Sequence, residues 1–341
     1  MTASKSKRPL IVGICLFVVF AIVYGTVLVL YANSGRSDVA HIPAKVDNGV
    51  EVQMELVDVD TLRREITMRI AVLPVGDMDL ANRPSTNKNQ PAELGFAKPL
   101  RVTFWQSPQA DSNSHVDAGV GQAYVVSEVK FLVDGTPDTY PLDRYFYGFG
   151  TEVTQEGEEP RPSAKRQPAP MLSIQELGAD GKPVAPTGEQ FDSKSPHFIN
   201  IGLDQPPEGT SGWTEVWNIE TVGSSLWMDT TFKRSGGTLG FVAVVMILMA
   251  VLAVAALSVS IRVFRKPGTI EATMASWQAA LLFALVPLRN FLPGAPPIGA
   301  WIDVLVFYWV ILALMFSMAL FTYTWLRDKG HLPGEKKSKV S

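Results

Sequence analysis

Apolar and polar positions divide the chain into four long uncharged runs and one long mixed segment. The uncharged runs cover residues 10–31, 238–261, 272–288 and 304–326. A helix rises about 1.5 Å per residue, so about 20 residues cross the roughly 30 Å hydrocarbon layer of a bilayer. The first, second and fourth runs are long enough outright, and the third is shorter and ends at Arg289. The pattern predicts four transmembrane helices, one before and three after the mixed segment.

The distribution of basic residues predicts the topology of these helices. Lysines and arginines cluster before the first run, after the second and after the fourth. These clusters fall on one side only if there are four spans, so the positive-inside rule places both termini in the cytoplasm. The first run exceeds the 7 to 15 residues typical of a signal peptide, which disfavours cleavage. The predicted order is a cytoplasmic tail 1–9, helix 10–31, extracytoplasmic domain 32–237, helix 238–261, cytoplasmic loop 262–271, helix 272–292, outer turn 293–299, helix 300–326 and basic tail 327–341.

The outer segment alternates apolar and polar positions with the period of a half-buried strand. The stretch GVEVQMELVDVD at residues 49–60 shows this period of two, and residues 66–72 repeat it, which predicts an antiparallel hairpin. Many short strands separated by Gly, Pro, Asn and Asp favour an antiparallel β-sandwich-like domain. The further strand candidates are residues 100–106, 122–133, 146–154, 171–176, 198–203, 214–221 and 226–233.

The charge of the outer segment argues against some classes of partner, and the cysteine content rules out an internal disulfide. The outer segment contains 29 acidic and 18 basic residues, a net charge of −11. This surface argues against nucleic acid and against anionic lipid headgroups as ligands of the outer domain. Because Cys15 is the single cysteine of the chain, no internal disulfide can stabilise the exported domain.

One arginine and one aspartate bracket a Pro/Gly turn between the last two apolar runs, in the sequence RNFLPGAPPIGAWID. The prolines and glycines must end one helix and begin the next, which brings Arg289 and Asp303 close together. A charge in lipid costs roughly 2.5 to 3.5 kcal/mol, and a nearby opposite charge reduces that cost. The pair is therefore predicted to pin a helical hairpin. The alternative is a proton or ion relay, for which intramembrane charges are the usual marker.

The motif YPLDRY follows a strand candidate in the outer segment. Pro141 presets a turn, Asp143 can accept hydrogen bonds from turn amides, and Tyr140 can fill a core edge; Arg144 is the fourth residue of this turn motif. The motif favours a structural corner. It is also similar to the membrane-facing loop of pentameric ligand-gated channels, but the flanking cysteines and the polar pore-lining helix of those channels are missing from this sequence.

The segment RNFLPGAPPIGAWID, the membrane runs before it and YPLDRY together resemble an uncharacterised family of actinobacterial multi-span membrane proteins, catalogued only as a domain of unknown function. The resemblance covers most of the chain. It implies this architecture and an envelope setting, and it implies no activity, cofactor or catalytic residue.

Small residues on the predicted helices indicate close helix packing. Gly236 and Gly240 form a GxxxG motif at the start of the second run, and Ala275 and Ala279 add a small face to the third. Packing among the four helices and association with a membrane partner or a second copy explain these residues equally well.

The sequence contains no recognisable catalytic or metal-binding motif. Its four histidines are isolated, no zinc spacing is present, and the serines around Ser211 and Ser224 have no histidine nearby in sequence. We therefore expect no enzyme activity and no cofactor. The leading hypothesis is a non-catalytic envelope component that binds or assembles with membrane or envelope partners in the lipid bilayer. The alternative is ion or proton transport or a ligand-gated channel-like protein, and an outer-face hydrolase, which needs a clustered nucleophile and base, comes third.

Overall fold

The computed structural model describes residues 25, 26, 29, 38–82, 94–106, 113–148, 167–184, 197–265, 272–294 and 296–329. The predicted tail 1–9, most of the predicted first helix and most of the basic tail therefore lie outside the described residues. The chain divides into two compact units. The β unit comprises Asn33–Pro137 and Leu142–Ser235, and the helical unit contains Asp138–Pro141 and the chain from Gly236 onwards.

Twelve strands are found within the described part of the β unit. In chain order they are β1 (Asp38–His41), β2 (Gly49–Asp60), β3 (Glu65–Val75), β4 (Leu100–Trp105), β5 (Asn113–Ala118), β6 (Val125–Leu132), β7 (Asp134–Gly135), β8 (Arg144–Tyr147), β9 (Ala169–Glu176), β10 (Ile201–Gly202), β11 (Trp213–Val222) and β12 (Ser225–Arg234).

The strands form two sheets. The first sheet has the order β1-β11-β12-β9-β4-β5, and the short strands β8 and β7 extend from β12. The second sheet has the order β10-β2-β3-β6. The prediction of a wholly antiparallel domain is wrong at two edges, because β1 pairs with β11 and β10 pairs with β2 in parallel. In each parallel pair the two strands are far apart in the sequence, so the connection between them is long enough for parallel pairing.

A single hydrophobic core draws its residues from both sheets. Along β2 and β3 the apolar positions of the alternating pattern are buried, and Gln53 and Arg69 on the opposite face are exposed. On the first sheet, β11 and β12 bury alternate residues in the same way, including Trp217 and Phe232, whose rings meet edge to face at 5.6 Å. The layered arrangement that the period of two predicted is present in the structure.

The helical unit contains three long helices within the described residues: α1 (Gly236–Arg265), α2 (Ala272–Asn290) and α3 (Tyr308–Lys329). A π-helical turn, Asp303–Phe307, leads directly into α3. In the part of the chain that the structure describes, two helical stretches are long and apolar enough to cross a membrane, Gly236–Arg265 and Asp303–Arg327. The helix α2 is shorter and includes Pro287.

Candidate functional site

Arg289 and Asp303 form a two-pronged ion pair in the helical unit. Arg289 Nε donates to Asp303 Oδ1 at 2.9 Å, and Nη2 donates to Oδ2 at 2.8 Å. The Asp303 side chain is 1% exposed and the Arg289 side chain 14% exposed. Parallel hydrogen bonds between a guanidinium and a carboxylate are among the strongest polar contacts in proteins. The structure thus brings together the two charges that bracket the turn.

The turn between the helices supplies the remaining partners of this pair. Arg289 Nη2 also donates to the carbonyl oxygens of Pro296 and Pro297, at 3.1 and 3.2 Å. The backbone N–H of Gly299 donates to Asp303 Oδ2 at 2.9 Å. Gly299 has a φ of +90°, a conformation that glycine adopts without the strain imposed by a side chain. The ion pair therefore fixes the path of the turn as well as the ends of the helices.

The residues of YPLDRY separate into different surroundings. Tyr140 is buried in the hydrophobic cluster of the helical unit, together with residues of all three helices, and the bond between Tyr140 and Pro141 is cis. Asp143 is 1% exposed in the β unit, and Arg144 is exposed at the start of β8. The motif is therefore a corner with two buried anchors, Tyr140 and Asp143.

Asp143 has a partner that the sequence analysis did not identify, Arg234 at the end of β12. Arg234 Nε lies 3.1 Å from Asp143 Oδ1, and its Nη2 lies 3.1 Å from Oδ2. The Trp213 ring covers the guanidinium, with Cζ 4.3 Å from the ring centroid. Both charged side chains are almost fully buried, so each charge depends on the other. Asp143 thus binds a distant arginine, in contrast to the predicted bonds from turn amides.

The predicted helix-packing residues lie at different depths. Gly240 is buried, as are Ala253 and Ala256 further along α1, whereas Gly236 is half-buried. On α2, Ala275 and Ala279 are both half-buried. The small face of α1 is thus used in packing within the unit.

A polar cluster joins the three helices. Ser260 of α1 and Ser317 of α3 share a hydrogen bond of 2.8 Å between their hydroxyls, and Gln278 Nε2 of α2 donates to Ser260 Oγ at 2.7 Å. All three side chains are buried, and Gln278 Oε1 has no hydrogen-bond partner among the described residues. We call Ser260, Gln278 and Ser317 the helix node. It leaves a spare acceptor oxygen deep among the helices.

A groove lies on the outer face of the first sheet, where β9 and β12 pair. Ser173 is opposite Ser225, and a bulge separates Leu226 from Trp227. Leu226 is buried in the core, so Ser225 and Trp227 on either side of it point outwards. The groove has a volume of about 190 Å³. We call it the outer groove; it is lined by Ser173, Ile174, Gln175, Val184, His197, Val222, Gly223, Ser224, Ser225 and Trp227.

His197 enters the outer groove with an oriented ring. Its Nδ1 lies 2.9 Å from Glu176 Oε2, and Lys98 Nζ lies 2.8 Å from the same oxygen. Burial raises the pKa of Glu176, but the hydrogen bonds from Lys98 and His197 outweigh it, so the net pKa lies below its ordinary value. The backbone of His197 has a φ of +70°, which is strained for a residue with a side chain. The sequence analysis treated the histidines as isolated; the fold places this one in the same groove as Ser224.

Glu215 on β11 has a buried carboxyl group that forms no ion pair with an arginine among the described residues. It is 0% exposed, and the Thr210 N–H donates to Oε1 at 3.3 Å, while Oε2 has no partner among the described residues. Burial raises the pKa of Glu215. Where the structure is described, no group of three or more His, Cys, Asp and Glu side chains is placed to hold a metal ion.

Two regions of the chain match known families. Residues 41–172 match a domain of unknown function (DUF4436), and residues 234–328 match a second domain of unknown function (DUF8686). No curated protein matches the chain. The expected likeness to proteins catalogued only as domains of unknown function is thus supported. The second match covers α1, α2 and all but the last residue of α3, and the first runs from the last residue of β1 to the middle of β9.

Proposed function

We propose that this protein is a non-catalytic component of the bacterial cell envelope, anchored by its helices, whose β unit binds or assembles with envelope partners. In this proposal four helices, at residues 10–31, 238–261, 272–292 and 300–326, cross the cytoplasmic membrane. Both termini are cytoplasmic, and the segment 32–237 lies on the outer face. The actinobacterial family resemblance supports this envelope setting.

The observation that carries the proposal concerns Arg289 and Asp303, the one ion pair described in the helical unit. Hydrogen bonds occupy both oxygens of its carboxylate. Both oxygens of Asp303 accept hydrogen bonds from Arg289, and Oδ2 also accepts one from Gly299. A relay needs a carboxylate that exchanges protons or ligands, and this one is held by a permanent partner that forms two parallel bonds. The pair is therefore suited to anchoring a hairpin rather than to moving charge.

A pull-down of the intact protein from its native membrane tests the proposal. The protein is purified in a mild detergent, and co-purifying proteins and lipids are identified by mass spectrometry. We expect a stoichiometric partner that remains with the Gln278→Leu variant and is reduced by substitutions on exposed strands of the β unit. Substrate turnover that disappears with single polar substitutions in the β unit would contradict the proposal.

Transport is the second candidate, and the helix node favours it. Gln278 Oε1 is a buried acceptor with no partner among the described residues, and the Ser260 and Ser317 hydroxyls lie beside it. Buried polar groups among membrane helices often mark an ion or proton pathway. Ion flux into liposomes that falls on Gln278→Leu, or on exchanging Arg289 and Asp303, would support this candidate. Flux equal to that of protein-free liposomes would remove it.

An outer-face hydrolase is the third candidate, supported by the contents of the outer groove. The Glu176 contact orients the His197 ring as the carboxylate of a catalytic triad orients its histidine, and Ser224 lines the same groove. The Ser224 hydroxyl, however, accepts a hydrogen bond from the Ile199 N–H at 3.0 Å. Ester hydrolysis by the purified protein that is lost on both Ser224→Ala and His197→Asn would favour this candidate over the first.

A further inference from the structure

Among the described residues, the lining of the outer groove is uncharged apart from His197. None of these lining residues is Asp, Glu, Lys or Arg, although the segment 32–237 has 29 acidic and 18 basic residues. The carboxylate nearest to His197, Glu176, is already paired with Lys98. A charged ligand would have to leave water without an opposite charge to receive it, which is unfavourable. The groove therefore fits a neutral ligand.

The polar groups of the groove can donate and accept hydrogen bonds. The hydroxyls of Ser173 and Ser225 and the amide of Gln175 each supply both functions. The Trp227 side chain, half-buried on the neighbouring strand, adds a flat apolar surface beside them. A ligand that matches this lining has an apolar face and a rim of hydroxyl groups, which is the chemistry of a sugar ring.

Strand addition by a peptide does not fit the same place. The strand β9 is paired on both sides, with β12 and β4, and β12 is paired with β11 and β9. Neither strand offers a free backbone edge at the groove, and a free edge is what an added strand requires. Recognition there must use side chains.

The volume of the groove indicates how much of a ligand it holds. At about 190 Å³ it is smaller than the sites of drug-sized ligands, which begin at roughly 300 Å³. It can hold one ring of a longer chain, with the rest of that chain lying along the surface of the sheet.

We propose that the outer groove binds a single residue of a neutral polysaccharide, with Trp227 stacking on the sugar ring and Ser173, Gln175 and Ser225 hydrogen-bonding its hydroxyls. His197, oriented by Glu176, adds a further hydrogen bond through Nε2. This inference names a ligand class for the proposed envelope-binding function and rests on that function.

Titration of the full-length protein with neutral oligosaccharides tests the inference. The protein is held in a detergent without a sugar headgroup and titrated with maltotetraose, cellotetraose and tetra-N-acetylchitotetraose, and binding is followed by calorimetry and tryptophan fluorescence. We expect saturable binding of at least one of them. Trp227→Ala should lower its association constant about tenfold, as expected for the loss of an aromatic contact. The matched control Tyr124→Ala, an exposed aromatic outside the groove, should leave binding unchanged.

A second variant keeps the test valid if Trp227→Ala does not fold. Gln175→Leu combined with Ser225→Ala retains the indole ring and removes polar partners, and it should also weaken binding. No binding of any of the three saccharides, or equal binding by the groove variants, would overturn the inference. A stoichiometric protein partner found without saccharide binding would overturn this inference alone, and saccharide binding without any protein partner would overturn only the assembly role.

Discussion

Within the described residues, the β unit and the helical unit each contain one buried arginine–aspartate pair, and the two pairs differ in how the chain brings them together. In the helical unit, Arg289 and Asp303 are 14 residues apart and meet across one short turn. In the β unit, Asp143 and Arg234 are 91 residues apart and meet because β8 pairs with β12. Burial is similar, since both carboxylates are 1% exposed. The same chemistry therefore closes a local hairpin in one unit and fastens a long-range sheet contact in the other.

The two guanidinium groups also differ in what surrounds them beyond the carboxylate partner. Arg289 donates to the carbonyls of Pro296 and Pro297, whereas the guanidinium of Arg234 lies against the Trp213 ring. Backbone carbonyls fix the turn itself, and the aromatic ring shields the charge from water. Removing one partner of the Asp143–Arg234 pair should therefore destabilise the whole β unit. Removing one partner of the Arg289–Asp303 pair should mainly destabilise the hairpin that the pair closes.

The largest expected effect is that of breaking the β-unit pair. Asp143→Leu removes the carboxylate that is paired with the buried Arg234 guanidinium, and we expect the free energy of unfolding of the β unit to fall by about 3–5 kcal/mol. Urea unfolding of the detergent-solubilised protein, followed by tryptophan fluorescence, measures it. The double variant Asp143→Leu/Arg234→Met is the control, and it should recover most of the loss because no buried charge remains. A loss no greater than that of an exposed ion pair would show that the two pairs are not comparable.

The helical pair should respond somewhat less strongly. Arg289→Leu leaves Asp303 without its partner among apolar helices, at a cost of roughly 2.5 to 3.5 kcal/mol. The measurement is the SDS fraction at which the helical unit unfolds. Arg289→Lys keeps the charge but loses the two-pronged geometry, so an intermediate loss is expected. Equal resistance of all three proteins would contradict a stabilising role of the pair.

Glu215, a buried carboxyl with no arginine partner among the described residues, should destabilise the fold when it is ionised. Because burial raises the pKa of Glu215, the fold loses stability as the pH rises from the ordinary glutamate pKa through the raised one. Glu215→Gln removes this loss, so we expect a gain of about 1–3 kcal/mol at neutral pH and little gain near pH 4. Urea unfolding at both pH values checks the sign. A stability that falls at neutral pH would mean that the ionised carboxylate is stabilised by a contact.

An exposed pair with the same two-pronged geometry gives the smallest effect. Arg101 Nε and Nη2 lie 2.7 and 2.8 Å from the two oxygens of Asp117, on the solvent face of β4 and β5. Water screens this pair, so Arg101→Ala should change the unfolding midpoint little, and high salt should change it little further. A loss comparable to that of Asp143→Leu would show that geometry, rather than burial, sets the strength of these pairs.

Local patterns were sufficient to predict part of this molecule. The alternation in residues 49–60 and 66–72 predicted β2 and β3, because both strands have one buried face. The Pro/Gly turn predicted the Arg289–Asp303 contact from chain geometry alone. The edge strand β1 was missed because all four of its residues are exposed, so its sequence carries no alternation.

Contacts between residues far apart in sequence could not be predicted in the same way. The motif YPLDRY contains both Asp143 and Arg144, and only strand pairing determines that Asp143 turns inward to Arg234. The outer groove likewise depends on the register of β9 against β12, which places Ser173 opposite Ser225. His197 was missed as a groove residue because Glu176, which orients it, lies 21 residues away in the sequence.

The most direct test of the structural role of the helical pair is a flux measurement on Arg289→Leu/Asp303→Leu. This double variant replaces both charges with apolar side chains, so the protein should remain folded. Ion and proton flux are measured in liposomes containing either the wild type or the variant. Our account predicts that both give the flux of protein-free liposomes. Flux through the wild type that disappears in the folded variant would contradict it and would make Arg289 and Asp303 part of a transport pathway.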